Sequence, residues 1–138
     1  ELIPISNLSH LLKNSDFVVI ACPLTPVTKN MIGKRELTEM KSTAFIINIA
    51  RGEIINEAVL INALQNKTLA GAALDVFEKE PLPKESPLFA LDNVFLSPHI
   101  SGNFPEYQHD VIVQFADNLN RYLAGKDLKN RVCKKRLY

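Results

Sequence analysis

FIINIARG, residues 45–52, is an apolar, β-rich run closed by an arginine and a glycine, and two later stretches have the same form: GAALDVFEKEP (71–81) and NVFLSPHISG (93–102). A run of β-branched and aliphatic residues ended by a polar residue beside glycine or proline reads as a buried parallel strand emptying into a loop. The three loops then open at one edge of one sheet, with Arg51, Glu80 and His99 at their ends. In open α/β sheets the carboxyl edge is where ligands bind. A cation, an anion and an imidazole gathered there form a candidate catalytic set.

Outward from these stretches the chain alternates helix and strand. The pattern predicts a helix to about Asn14, capped at Ser6 with Leu8, Leu11 and Leu12 on one face, and a strand Phe17 to Cys22. A proline-rich loop runs from Pro23 to Thr28, followed by a short helix through Arg35 to Met40. Next come the strand Ala44 to Ile49, a helix Asn56 to Gln65 and the strand Ala70 to Val76. A proline-broken loop Pro81 to Pro87, the strand Val94 to Leu96 and a long helix from about Pro105 to Leu123 complete it. Strands separated by helices need crossover connections, so the sheet should be parallel, with helices on its faces.

Composition narrows the class. The 138 residues are 46% hydrophobic and 22% charged, enough apolar material for a core and far from a disordered composition. A formal net charge of +1 gives no general argument for nucleic acid or membrane. No apolar run approaches the roughly 20 residues of a spanning helix. Cys22 and Cys133 make neither a disulfide framework nor a metal-ligand spacing, so no metal site is expected and a cytoplasmic setting is the default. The chain opens at Glu1 without an initiator methionine, and its first element is a helix, which suggests a fragment.

Each candidate residue has a chemical reading and a plain one. Arg51 presents a planar fork of donors that can hold a carboxylate or phosphate bidentately, and Gly52 lets backbone approach a ligand; alternatively Arg51 pairs with Glu53 on the surface. Glu80 before Pro81, beside His99 after Pro98, would favour the charged imidazole and select its orientation. A histidine so prepared can act as an acid near neutral pH. The plain reading makes Glu78, Lys79 and Glu80 a solvated turn. His10 and His109 read as surface or capping residues, Cys22 as a small buried residue, and the basic tail with Arg131, Lys134, Lys135 and Arg136 as solvated.

From Asn48 to Gly102 the chain strongly resembles the coenzyme-binding domain of the D-isomer-specific 2-hydroxyacid dehydrogenases. ARG follows one strand, ALDVFEKEPLP the next and SPH the last, while DFVVIACPLTPVTKNMIG (16–33) is similar to the family's strand and adenosine-side loop. The resemblance implies an α/β, Rossmann-like doubly wound parallel sheet, incomplete here: residues 1–124 as the C-terminal part of the dinucleotide-binding domain, and 125–138 as a tail that packs toward a substrate domain outside this chain. The Gly-rich phosphate turn and the acidic selector between NAD and NADP should lie before Glu1.

The implied activity is hydride transfer between NAD or NADP and the carbonyl or hydroxyl carbon of a small 2-keto or 2-hydroxy acid, in a full-length homodimer. On matching positions Arg51 binds the substrate carboxylate and carbonyl, His99 protonates the carbonyl oxygen, and Glu80 holds the imidazole. Cofactor contacts carry over to Cys22, Pro23 and Thr28 on the adenosine side, to Ile49 and Ala50 along the nicotinamide ribose with Arg51, to Asp75 at the carboxamide, and to His99 and Gly102 beside the ring. The plain reading of Asp75, a helix cap or turn bond, is the less favoured one. Asn56, where the family more often has an acid, and SGNFP at 101–105 depart from the pattern. An NAD-sensing corepressor of the same fold is the alternative, and formate dehydrogenases resemble the pattern with glutamine in place of Glu80.

Overall fold

The computed structural model describes residues 2–135. The chain divides into two compact units, one reaching Ser101 and the other starting at Gly102. The first unit holds four short strands, β1 (Phe17–Ile20), β2 (Phe45–Asn48), β3 (Gly71–Leu74) and β4 (Val94–Leu96), and three helices, α1 (Leu8–Asn14), α2 (Lys34–Glu39) and α3 (Glu57–Gln65). All neighbours in the sheet are parallel, in the order β1-β2-β3-β4. Val18 stands beside Ile46, Ile46 beside Ala72 and Ala72 beside Val94. This is the α/β parallel arrangement that the alternating sequence predicts and the Rossmann-like part that the family resemblance implies.

That register sorts the strands by face. Val18, Ile20, Ile46, Ala72 and Leu74 point into a core with Leu12, Leu37, Leu60 and Leu64 of the helices. On the opposite face Phe17, Val19 and Phe95 are 66%, 56% and 71% exposed. The strands were expected to be buried on both faces, and in this unit they are buried on one. The reason is that α1, α2 and α3 all contribute their apolar residues to the same core.

Local chemistry sets the helix boundaries. Asn56 caps α3, its Oδ1 accepting the Val59 amide at 3.1 Å, and Glu57 in the first turn favours the positive end of the helix dipole. Leu60, Ala63 and Leu64 form the buried stripe of α3. The helix stops where Lys67 enters the left-handed region at φ 53°. The expected Ser6 cap is displaced: a 3-10 turn occupies Ile5–Asn7, and Asn7 precedes α1 without a side-chain capping bond. Further 3-10 turns occupy Gly52–Ile54 and Pro87–Ala90, the latter starting at the Ser86 cap as the proline-broken loop ends.

The second unit is built on α4 (Tyr107–Leu123), none of whose residues is buried. Phe104 meets Tyr107 edge to face at 5.7 Å. After Gly125 at φ 65° the chain returns along α4. There Asp117 pairs with Arg121 at 3.3 Å and Lys129 at 3.1 Å, and Asn118 exchanges two hydrogen bonds with the Lys129 backbone. The basic tail runs through Arg131, Lys134 and Lys135; its last members, 136–138, lie outside the described residues.

Candidate active site

The carboxyl ends of β2, β3 and β4 carry the residues singled out from the sequence. At the end of β2, Asn48 is 1% exposed, and an amide there must be satisfied locally. Its Nδ2 donates to the Arg51 carbonyl at 2.9 Å and its Oδ1 accepts the Ala50 amide at 3.1 Å. These two bonds shape the Ile49–Arg51 turn. The Arg51 guanidinium is exposed, donates to the Ala50 carbonyl at 2.6 Å, and makes no ion pair among the described residues, so the surface pair with Glu53 does not form.

The turn is seated on the loop after β3. A Cβ on Gly52 would overlap the backbone of Phe77 and Glu78, so only glycine permits this approach. Glu57 and Glu78 then tie α3 to the same loop, each carboxylate accepting the other residue's amide at 3.0 Å. The loop carrying Arg51 and the loop carrying Glu80 are thereby joined through backbone rather than through long side chains.

Glu80 and His99 meet. Glu80 Oε1 accepts the Phe77 amide at 3.0 Å, and Oε2 stands 2.7 Å from His99 Nδ1. The His99 hydrogen bond, opposed by burial and assisted by the Phe77 amide and the positive charges of His99 and Arg51, holds the Glu80 carboxyl below its ordinary range. Glu80 is therefore ionised at neutral pH. With Nδ1 directed to the carboxylate, Nε2 is the ring nitrogen left for a ligand. The Glu80–Pro81 peptide is cis. Beside the pair lies an open, mostly apolar cleft of about 580 Å³, walled by Phe77, Leu82, Phe89 and Leu96.

His99 itself sits at φ 56°, in the left-handed region. Histidine is among the residues that tolerate this conformation, at a cost of roughly 1–3 kcal/mol in a sparsely populated region. Asp75, 3% exposed, lies beneath the same loop. Its Oδ1 accepts the Ser97 hydroxyl at 2.5 Å and the Ile100 amide at 2.9 Å, and its Oδ2 accepts the Ser101 amide at 2.9 Å. Burial pushes this carboxyl up, but the Ser97 hydroxyl, the nearby Ser101 hydroxyl and the two amides outweigh it and hold the group far below the usual carboxylate range.

The remaining candidates divide. Ile49 is 44% exposed at the carboxyl edge, while Ala50 is buried. Thr28 is buried and its hydroxyl is used inside its own loop, donating to the Pro23 carbonyl at 2.7 Å and accepting the Thr25 amide at 2.7 Å. Cys22 is half-buried against the core and Pro23 is exposed. Gly102 belongs to the second unit, where a Cβ would meet nothing. His10 and His109 are exposed. Asn48 and Ser97 were not singled out from the sequence; an asparagine inside an apolar strand was the available signal for the first, and the second had none.

Comparison with known proteins places this arrangement. The family model for the D-isomer specific 2-hydroxyacid dehydrogenase, NAD binding domain, matches residues 2–101. Glyoxylate/hydroxypyruvate reductase B of Enterobacter agglomerans is 46% identical over 126 residues, which are 91% of this chain and 39% of that protein. The chain thus spans about two fifths of the length of the curated relatives it matches. The crystal structure of a D-isomer specific 2-hydroxyacid dehydrogenase from Xanthobacter autotrophicus Py2, in complex with NADPH and MES, is similar at a TM-score of 0.90 and 39% identity, over 96% of this chain and 54% of that one. An NADPH-dependent glyoxylate/hydroxypyruvate reductase from Sinorhizobium meliloti, in complex with NADP and sulfate, gives a TM-score of 0.90 at 30% identity, over 96% and 43%. The chain belongs to the NAD-binding domain family of the D-isomer specific 2-hydroxyacid dehydrogenases.

Proposed function

We propose that this chain carries the proton-transfer and substrate-anchoring residues of an NAD(P)-dependent oxidoreductase that interconverts a small 2-keto acid and its 2-hydroxy acid. The observation that carries the reading is the 2.7 Å contact between Glu80 and His99 Nδ1 at a sheet's carboxyl edge, with the Arg51 charge acting on the same carboxylate. Arg51 binds the substrate carboxylate through its planar fork. His99 donates a proton from Nε2 to the carbonyl oxygen during reduction and removes it from the hydroxyl during oxidation. Glu80 keeps Nδ1–H engaged and fixes the plane of the ring. The open apolar cleft beside the pair gives a small organic acid room to reach the imidazole.

When bound, a nicotinamide cofactor supplies the hydride. The residues present fit one: Ile49 is exposed at the carboxyl edge, and Asp75 Oδ2, which accepts a single amide, retains acceptor capacity for the carboxamide. Cys22, Pro23 and Thr28 are proposed for the adenosine side, and Ala50 and Gly102 complete the proposed cofactor contacts. The names of the relatives direct the choice of substrate to glyoxylate and hydroxypyruvate, and the neighbouring complexes direct the choice of cofactor to NADPH. Cytoplasmic location and a homodimer belong to the same proposal, and the two unpaired thiols, Cys22 and Cys133, suit a reducing compartment.

Steady-state assays of the full-length protein test this. Arg51→Ala should raise KM for glyoxylate and lower kcat/KM by about two orders of magnitude, as expected when a charge-assisted anchor is lost. An unchanged kcat/KM would remove Arg51 from the substrate site.

A further inference from the structure

We infer that Asp75 is a positioning residue for His99: its buried carboxylate holds residues 97–101 in the shape that places the imidazole on Glu80. This rests on the proposed role of His99 and goes beyond it. The three bonds to Asp75 come from both sides of the histidine, from Ser97 before it and from Ile100 and Ser101 after it. Between those anchors His99 is left-handed at φ 56°, and Pro98 restricts the approach. A loop forced through a sparsely populated conformation keeps it only when its surroundings over-determine it. Here one carboxylate, nearly inaccessible to solvent, supplies three of those constraints, and no part of the His99 side chain is needed to form them.

The geometry also separates this role from contact with a cofactor. A ligand reaching Asp75 has the remaining capacity of Oδ2, whereas the Ser97 hydroxyl bonds Oδ1. Removing that hydroxyl weakens the loop clamp without touching the atom a carboxamide would use. Asp75→Asn does more: an amide NH2 cannot accept, so the isosteric change sets a donor against at least one of the three donors. Glu80 reports the outcome directly, because the His99 bond is the largest influence lowering its carboxyl.

The test uses full-length protein carrying Ser97→Ala, Ser97→Thr or Asp75→Asn. Titration of the Glu80 carboxyl carbon by NMR, in which His99 and Arg51 are the charged neighbours, should move upward toward the ordinary carboxylate value in Ser97→Ala and Asp75→Asn. It should return to the wild-type position in Ser97→Thr, which restores the hydroxyl. In turnover, Ser97→Ala should lower kcat roughly tenfold with KM for NADPH unchanged, as a misplaced proton donor predicts. A Glu80 titration that is the same in wild type, Ser97→Ala and Asp75→Asn overturns the inference. A rise in KM for NADPH confined to Asp75→Asn, with Ser97→Ala silent, does so too and leaves Asp75 as a cofactor contact alone. A wild-type protein that shows no 2-keto-acid-dependent oxidation of NADPH refutes the functional reading instead, and the Glu80 titration still decides on the clamp.

Discussion

Gly52 shows how much of the site depends on a missing side chain. The Arg51 turn lies so close to the Phe77–Glu78 backbone that a methyl group must push one loop off the other. Gly52→Ala should therefore destabilise the fold by about 1–3 kcal/mol, the usual cost of overpacking, seen as a lower midpoint in denaturant. It should also slow turnover, because the displaced loops carry Arg51 and Glu80. Asp75 adds a pH dependence. Its carboxyl lies lower in the folded chain than in the unfolded one, so the stability it contributes is fully present above the unfolded value of about 4 and is lost as pH falls from there. Thermal melts between neutral pH and pH 3 should show that loss, and in Asp75→Asn the part due to this group should be gone. A melting profile of identical slope in the variant would contradict the assignment.

Among elements, α3 has the best-defined start, and Asn56→Ala should cost about 0.5–2 kcal/mol by removing the bond to the Val59 amide. Asn56 is where the family pattern more often has an acid, and as a cap it serves the helix equally well. Chemical denaturation of the variant checks this, with an unchanged midpoint as the contrary result. Element identity was legible from periodicity and punctuation: β4 spans Val94–Leu96 as read, and α3 follows its asparagine. Strand ends were read too long. Cys22, Ile49 and Val76 continue the apolar runs past the last ladder pair, and composition alone does not register where pairing stops. The meeting of Glu80 with His99 was legible because both stand at strand ends on the same edge. The Ser97–Asp75 bond was not, since it depends on how the ends of β3 and β4 lie against each other, and sequence spacing carries no trace of that.

For the whole chain, the parallel order of β1 to β4 sends every chemically distinctive loop of the first unit to one edge. Three strand ends, joined by Gly52, by the reciprocal Glu57–Glu78 bonds and by Asp75, form a rigid support for one imidazole and one guanidinium. In the proposed reaction His99 is the proton donor to a 2-keto acid. The most direct measurement is the single-turnover rate of NADPH oxidation by glyoxylate in the full-length protein, wild type against His99→Ala. The expected result is a fall of about two orders of magnitude or more, within the range general acid catalysis contributes. A variant that transfers hydride at the wild-type rate would contradict it.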